Sequence, residues 1–176
     1  MKLLNRKSSR ASWHEYNGGD YFVTICTKNR NHYFGKIVDG AMQLTAVGEY
    51  LKLQIENTEI IRNGDVTIPL YTIMPNHVHL IVSIYCGDAL RASDICRTHA
   101  VRPHGGEFGT QTKNLASVIR GIKCSVTKYA NDNQIPFGWQ SRYHDHIIRN
   151  QNEMNRISKY IENNPLIWWR DRNNIR

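Results

Sequence analysis

The spacing of apolar residues changes period several times along this chain, and each change marks a predicted element. Residues 21–27, YFVTICT, are β-branched and aromatic and are entered through Gly18-Gly19, which predicts a first strand. Two short runs, 33–38 and 41–44, flank Asp39-Gly40, a dipeptide that tolerates the left-handed backbone of a tight hairpin turn. Over residues 46–61, Val47, Leu51, Ile55 and Ile60 recur at helical spacing behind Thr45, whose hydroxyl suits an N-cap. Residues 66–73 and 77–85 read as two strands joined by the tight Met74-Pro-Asn76 turn, so they are expected to pair antiparallel. Residues 86–112 contain four Gly, one Pro and little periodicity, and are expected to form a long surface loop.

Helical spacing returns over 113–129, where Leu115, Val118, Ile119, Ile122, Val126 and Tyr129 share a face. At about 100° per residue, Lys113, Arg120, Lys123 and Lys128 fall opposite, a face with no acid in it. Such a face can track phosphates or merely be solvated, and the pattern does not choose. Residues 137–148 read as a turn and a strand. Asn150-Gln-Asn-Glu153 has the form of a capping box and opens a helix to about residue 163, stopped by Pro165. The order predicts an α+β fold, a mainly antiparallel sheet covered by helices. With 176 residues, one domain spanning 1–176 is expected.

Charge adds a partner class. The formal net charge is +8, which makes a polyanion the first partner to consider, although solubility alone also explains it. Residues 1–36 carry seven Lys/Arg against Glu15 and Asp20, whereas 39–65 carry five acids against Lys52 and Arg62. No apolar run approaches a membrane span, and the basic start lacks the apolar segment of a signal peptide, so a soluble cytoplasmic protein with no membrane association is expected. Cys26, Cys86, Cys96 and Cys124 are scattered, so neither a zinc knuckle nor a disulfide framework is indicated.

The candidate chemistry starts at MPNHVHLIV, residues 74–82. Alternate strand side chains share a face, so His77, His79, Ile81 and Ser83 line one side and Val78, Leu80, Val82 and Ile84 the other. Two imidazoles at i and i+2 can converge on one divalent cation, but satisfied structural histidines are the commoner outcome for this pattern alone. Ile81 stands where a third alternating histidine would be needed for a His-triad hydrolase, which disfavours that class. A second pair occurs at His144-Asp-His146. In KYIENNP, residues 159–165, Tyr160 and Asn164 are four apart and project from one helix face beside the apolar stripe Met154, Ile157 and Ile161. A core tyrosine and a helix-capping Asn are the plain readings of those two residues.

Together these motifs resemble the single-tyrosine HUH (histidine-hydrophobic-histidine) transposases, and within them the REP-associated tyrosine transposases. MPNHVHLIV resembles the histidine signature and KYIENNP the tyrosine helix. Further matches are Gly18-Gly-Asp-Tyr-Phe-Val-Thr24, Trp139-Gln140, Asp145-His-Ile-Ile-Arg149 and Asn164-Pro165, and the likeness covers about residues 13–166. The resemblance implies a ferredoxin-like antiparallel sheet with helices on one side, the HUH endonuclease fold. It implies Tyr160 as nucleophile, and His77, His79 and Asn164 as holders of a divalent metal, Mg²⁺ or Mn²⁺. It also implies support or DNA contact from His146, Arg149 and Gln140.

The implied reaction is cleavage and rejoining of single-stranded DNA through a 5′-phosphotyrosine, at hairpins formed by palindromic repeats. Arg6, Lys7 and Arg10, with Lys113, Arg120, Lys123 and Lys128, are the cations available for the hairpin backbone. Trp13, Tyr16, Trp139, Tyr143, Trp168 and Trp169 are the aromatic residues on which bases could stack. A homodimer that exchanges the tyrosine helix is one arrangement the family allows. Two other functions fit the same residues: a non-catalytic protein binding DNA repeats, and a metal-dependent phosphoesterase using water.

Overall fold

The computed structural model describes residues 18–85, 114–171 and 173–174. In chain order its elements are β1 (Gly19–Cys26), β2 (Gly35–Val38), β3 (Ala41–Leu44), α1 (Ala46–Glu56), α2 (Thr58–Ile61), β4 (Val66–Met74), β5 (His77–Ile84), α3 (Leu115–Asp132), β6 (His144–Ile148) and α4 (Gln151–Asn163), followed by a 3-10 segment, Pro165–Arg170. The expected loop over 86–112 lies outside the described residues, as do Arg6, Lys7, Arg10, Trp13, Tyr16 and Lys113.

Four strands form one antiparallel sheet in the order β4-β5-β1-β6. β4 and β5 are joined by Pro75-Asn76 alone, the connection from β1 to β4 runs through β2, β3, α1 and α2, and β5 lies between β1 and β4 in the sheet. This is the split β-α-β arrangement of ferredoxin-like folds, as expected. β2 and β3 form a separate ribbon whose turn places Asp39 at φ 52° and Gly40 at φ 75°, the left-handed pair that an Asp-Gly hairpin favours.

One face of the sheet carries Tyr21, Val23, Ile25, Val78, Leu80, Val82 and Ile84 and packs against Val47, Leu51 and Ile55 of α1 and Val118, Ile119, Ile122 and Val126 of α3. The side chain of Thr45 caps α1 by accepting from the Gly48 N–H at 3.2 Å. Gly48 also permits the close approach of α1 to the preceding chain, since a Cβ there would lie 2.3 Å from the Phe34 carbonyl oxygen. The single helix expected over 46–61 is broken at Asn57. Its buried stripe ends at Ile55, while Ile60 and Ile61 are exposed, so packing does not support continuation.

The other face is covered as well. Ile81 and Ile148 of the sheet meet Ile157 and Ile161 of α4, with Phe22, Leu70 and Met154 at the margin. The expectation of helices on one side only is therefore corrected: α1 and α3 lie on one face and α4 on the other. The reason is visible in β5, where every residue is buried, so both faces of this strand need cover. No helix among the described residues is long and apolar enough to cross a membrane.

Candidate functional site

The sheet face under α4 carries both histidines. His77 pairs with Cys26 of β1 and Met74 of β4, and His79 with Thr24 and Thr72, so both sit on central strand β5 and are 0% and 2% exposed. Their Nε2 atoms lie 3.1 Å apart. The Asn76 side-chain nitrogen donates to the carbonyls of Arg30 at 3.1 Å and Asn173 at 2.8 Å, which orients its amide. Asn76 Oδ1, 2.9 Å from His77 Nδ1, therefore accepts from an Nδ1–H, and neutral His77 presents a lone pair at Nε2. His79 Nδ1 meets the Thr24 hydroxyl at 2.9 Å. A hydroxyl donates or accepts, so His79 can take either tautomer.

Tyr160 comes to this pair from α4. Ile157 and Ile161 seat the helix on the sheet, and the Tyr160 hydroxyl lies 3.3 Å from His79 Nε2. Its ring meets His79 edge-on at 5.2 Å and Phe22 at 6.1 Å, while Phe22 stacks on His79 at 5.2 Å. Tyr160 remains 40% exposed although its oxygen faces a buried imidazole.

The start of α4 is tied to β6. The Asn150 side chain accepts from the Glu153 N–H at 2.9 Å, as the capping box requires. The return bond shifts by one residue: Glu153 Oε2 accepts from the Arg149 N–H at 2.9 Å, and Oε1 accepts from His146 Nε2 at 2.7 Å. His146 lies across from Phe22 on the face that carries His79, so this clamp fixes the helix that carries Tyr160. The Arg149 N–H first, then His146, hold the Glu153 carboxyl below its ordinary 4.5. A lowered folded value means that the clamp stabilises the chain above pH 4.5 and is lost as pH falls through the lower folded value. Glu153→Gln is thus expected to lower Tm by a few degrees at neutral pH, with the difference fading as pH falls below the carboxyl's lowered folded value; thermal melts from neutral to acid pH measure it.

Two side chains beyond Tyr160 carry oxygens with little exposure to solvent. Asn164, at the end of α4, is 1% exposed, and its Oδ1 accepts no hydrogen bond among the described residues. Asp171, beyond the 3-10 segment, places Oδ2 3.6 Å from His77 Nε2 with its side chain 4% exposed. One donor atom from each of His77, His79 and Asp171 falls within 4.8 Å of the others. The segment is held from both sides: the Asn173 N–H donates to Asp171 Oδ1 at 2.6 Å, and Asn76 binds the Asn173 carbonyl. Motif reading missed Asp171, because the tail after Pro165 carries no pattern, and it missed Asn76 as the residue that sets the His77 tautomer.

Two imidazole nitrogens and a carboxylate oxygen form a mixed nitrogen and oxygen donor set that can hold a divalent metal. Fewer of the other predicted residues reach this cluster. Gln140 lies at the end of β1, where its N–H donates to the Cys26 carbonyl at 2.9 Å. Lys123 turns inward: Nζ donates to the Gln140 carbonyl at 2.6 Å, stands 5.9 Å from the Trp139 ring, and has its pKa lowered by burial. Lys128 pairs with Asp132 at 2.7 Å, an acid that the expected acid-free face did not include, and Arg120 is exposed. All three belong to α3, on the face away from the histidines.

No family model matches the chain. A Haemophilus influenzae protein described as uncharacterized is 35% identical over 172 residues, covering 96% of this chain and 93% of its own length. The chain belongs to one family with that protein. A solved structure of a REP-associated tyrosine transposase bound to a REP hairpin aligns over 93% of this chain and 74% of its own, with a TM-score of 0.61 and 21% identity. The fold of this chain is that of a REP-associated tyrosine transposase, as the motifs implied. A Deinococcus radiodurans protein described as a transposase aligns over 90% of this chain and 97% of its own, with a TM-score of 0.47 and 14% identity.

Proposed function

We propose that this chain is a metal-dependent single-stranded DNA endonuclease and strand transferase that uses Tyr160 as its nucleophile at hairpin-forming palindromic repeats. The observation that carries the reading is the 3.3 Å approach of the Tyr160 hydroxyl to His79 Nε2, which puts a partly exposed nucleophile at the mouth of a buried histidine pair. The hairpin substrate is proposed from the transposase of the same fold, which was solved with a REP hairpin.

The Tyr160 oxygen attacks phosphorus, the bond from phosphorus to the 3′ oxygen breaks, and that oxygen leaves with a proton as a free 3′-OH. The 5′ phosphate stays on Tyr160, so the strand can be resealed or transferred by the reverse attack without an external energy source. The exposed edge of Tyr160 admits the phosphate and lets the phenol proton leave to water. Phe22 stacks on His79, and the Glu153 clamp on α4 keeps the phenol aligned. His77 and His79, with oxygens from Asp171 and Asn164, would hold a divalent cation, whose contribution is to stabilise charge gathering on the phosphoryl oxygens. Two imidazoles favour Mn²⁺ over Mg²⁺. All these residues come from one chain, so the reading requires no helix exchange between copies.

Incubation with Mn²⁺ and a labelled DNA hairpin bearing an unpaired flank is expected to yield a covalent protein–DNA band on a denaturing gel. Cleavage with no such band would point to a water-using phosphoesterase, and binding without cleavage to a non-catalytic repeat-binding protein. Asp171→Asn keeps the side-chain shape and removes the charge. It is expected to weaken Mn²⁺ binding about 10- to 100-fold, measured by titration calorimetry. Unchanged affinity would remove Asp171 from the ligand set.

A further inference from the structure

Of the six aromatic residues that the sequence offers for base stacking, Trp13 and Tyr16 lie outside the described residues, and the structure separates the other four. Trp139 packs between Phe34 and Phe137 at 5.3 Å and 5.1 Å and donates its indole N–H to the Lys123 carbonyl at 3.1 Å. Tyr143 is partly buried against the main core. Trp168 turns inward, its ring 5.9 Å from His77 and 5.8 Å from His32. Trp169 turns outward: it is 66% exposed, and the Arg170 guanidinium lies 4.2 Å from its ring centroid.

We propose that Trp169, backed by Arg170, is a stacking site for one unpaired nucleobase of single-stranded DNA beside the phosphate that Tyr160 attacks. The proposal rests on the strand-transferase reading. Placement supports it first. Trp169 is flanked by Trp168, which packs on His77, and is two Cα steps of about 3.8 Å from Asp171, which faces His77, so its distance from the candidate site is on the scale of one nucleotide. Chemistry supports it next. Arg170 covers one indole face by a cation–π contact and leaves the other for a base, while its charge suits the adjoining phosphate. A net charge of +8 favours a polyanionic occupant over a second, equally cationic copy of the chain.

The test is equilibrium binding of a fluorescent hairpin with an unpaired flank, measured by anisotropy in the Tyr160→Phe background so that no covalent product forms. Adding Trp169→Ala is expected to weaken binding roughly 5- to 150-fold, with Trp169→Phe recovering part of the loss. The same titrations are repeated with flanking nucleotides replaced one at a time by an abasic unit. At one position the abasic unit should weaken the Trp169-containing protein by a similar factor and the Trp169→Ala protein by nothing further. Unchanged affinity on Trp169→Ala, or losses that multiply at every abasic position, would overturn the assignment. So would a dimer, seen by sedimentation, that Trp169→Ala dissociates without changing DNA affinity. If the Trp169-containing protein bound no hairpin DNA at all, the strand-transferase reading would fail, and this inference with it.

Discussion

Tyr160→Phe is expected to abolish the covalent protein–DNA adduct, a fall of at least ~10³-fold in the rate of strand cleavage, while hairpin binding and Tm stay close to those of the parent. The substitution removes a single oxygen. The edge-on contacts of the ring with His79 and Phe22 are apolar and persist in Phe. The hydroxyl's partner, His79 Nε2, is buried but keeps His77 Nε2 at 3.1 Å, so stability should change by no more than about 1 kcal/mol. A nucleophile cannot be replaced by rearranged water without changing the product, which makes the adduct the decisive readout. If the adduct persisted, another side chain would have to be the nucleophile. If cleavage persisted without an adduct, the enzyme would be using water.

His77→Ala has the second-largest expected effect, and it acts on metal binding itself. The chain should lose at least ~100-fold in Mn²⁺ affinity by calorimetry, more than Asp171→Asn, because a fixed nitrogen donor vanishes along with the tautomer control that Asn76 exerts on it. The same change strands Asn76 Oδ1 in a fully buried position, at a cost of about 1–3 kcal/mol in addition to the cavity left behind. Circular dichroism and a melting curve show that the variant is folded before metal is titrated. If Mn²⁺ affinity were unchanged in a folded variant, His77 and His79 would be structural histidines, the plainer reading that the HxH pattern alone leaves open.

How far the sequence could be read depends on whether the signal was local. Asp39-Gly40, Thr45 and Asn150 mark turns and caps through chemistry confined to a few neighbouring residues, and all three act in the structure as that chemistry requires. The alternation in β5 correctly separated the histidine face from the valine face. Period alone did not reveal that helices cover both faces. A polar strand face reads as solvent-exposed, whereas here the imidazoles are buried beneath α4. The α3 cations show a different limit, since helical spacing located their face but could not show Lys123 folding back onto Gln140 or Lys128 meeting Asp132.

The sequence by itself marked most of the elements, because strand period, capping and turn chemistry act over a few residues. The ferredoxin-like order and the roles of His77, His79, Tyr160 and Asn164 came from a resemblance and not from local pattern. Only the tertiary structure decided that Tyr160 meets His79 across 81 positions, that Asp171 and Asn76 join the cluster, and that Trp169 rather than Trp168 faces outward. Those outcomes depend on how α4 and the 3-10 segment dock on the sheet. That docking is set by burial of Ile81, Ile148, Ile157 and Ile161, a cooperative packing among distant positions that no local pattern encodes.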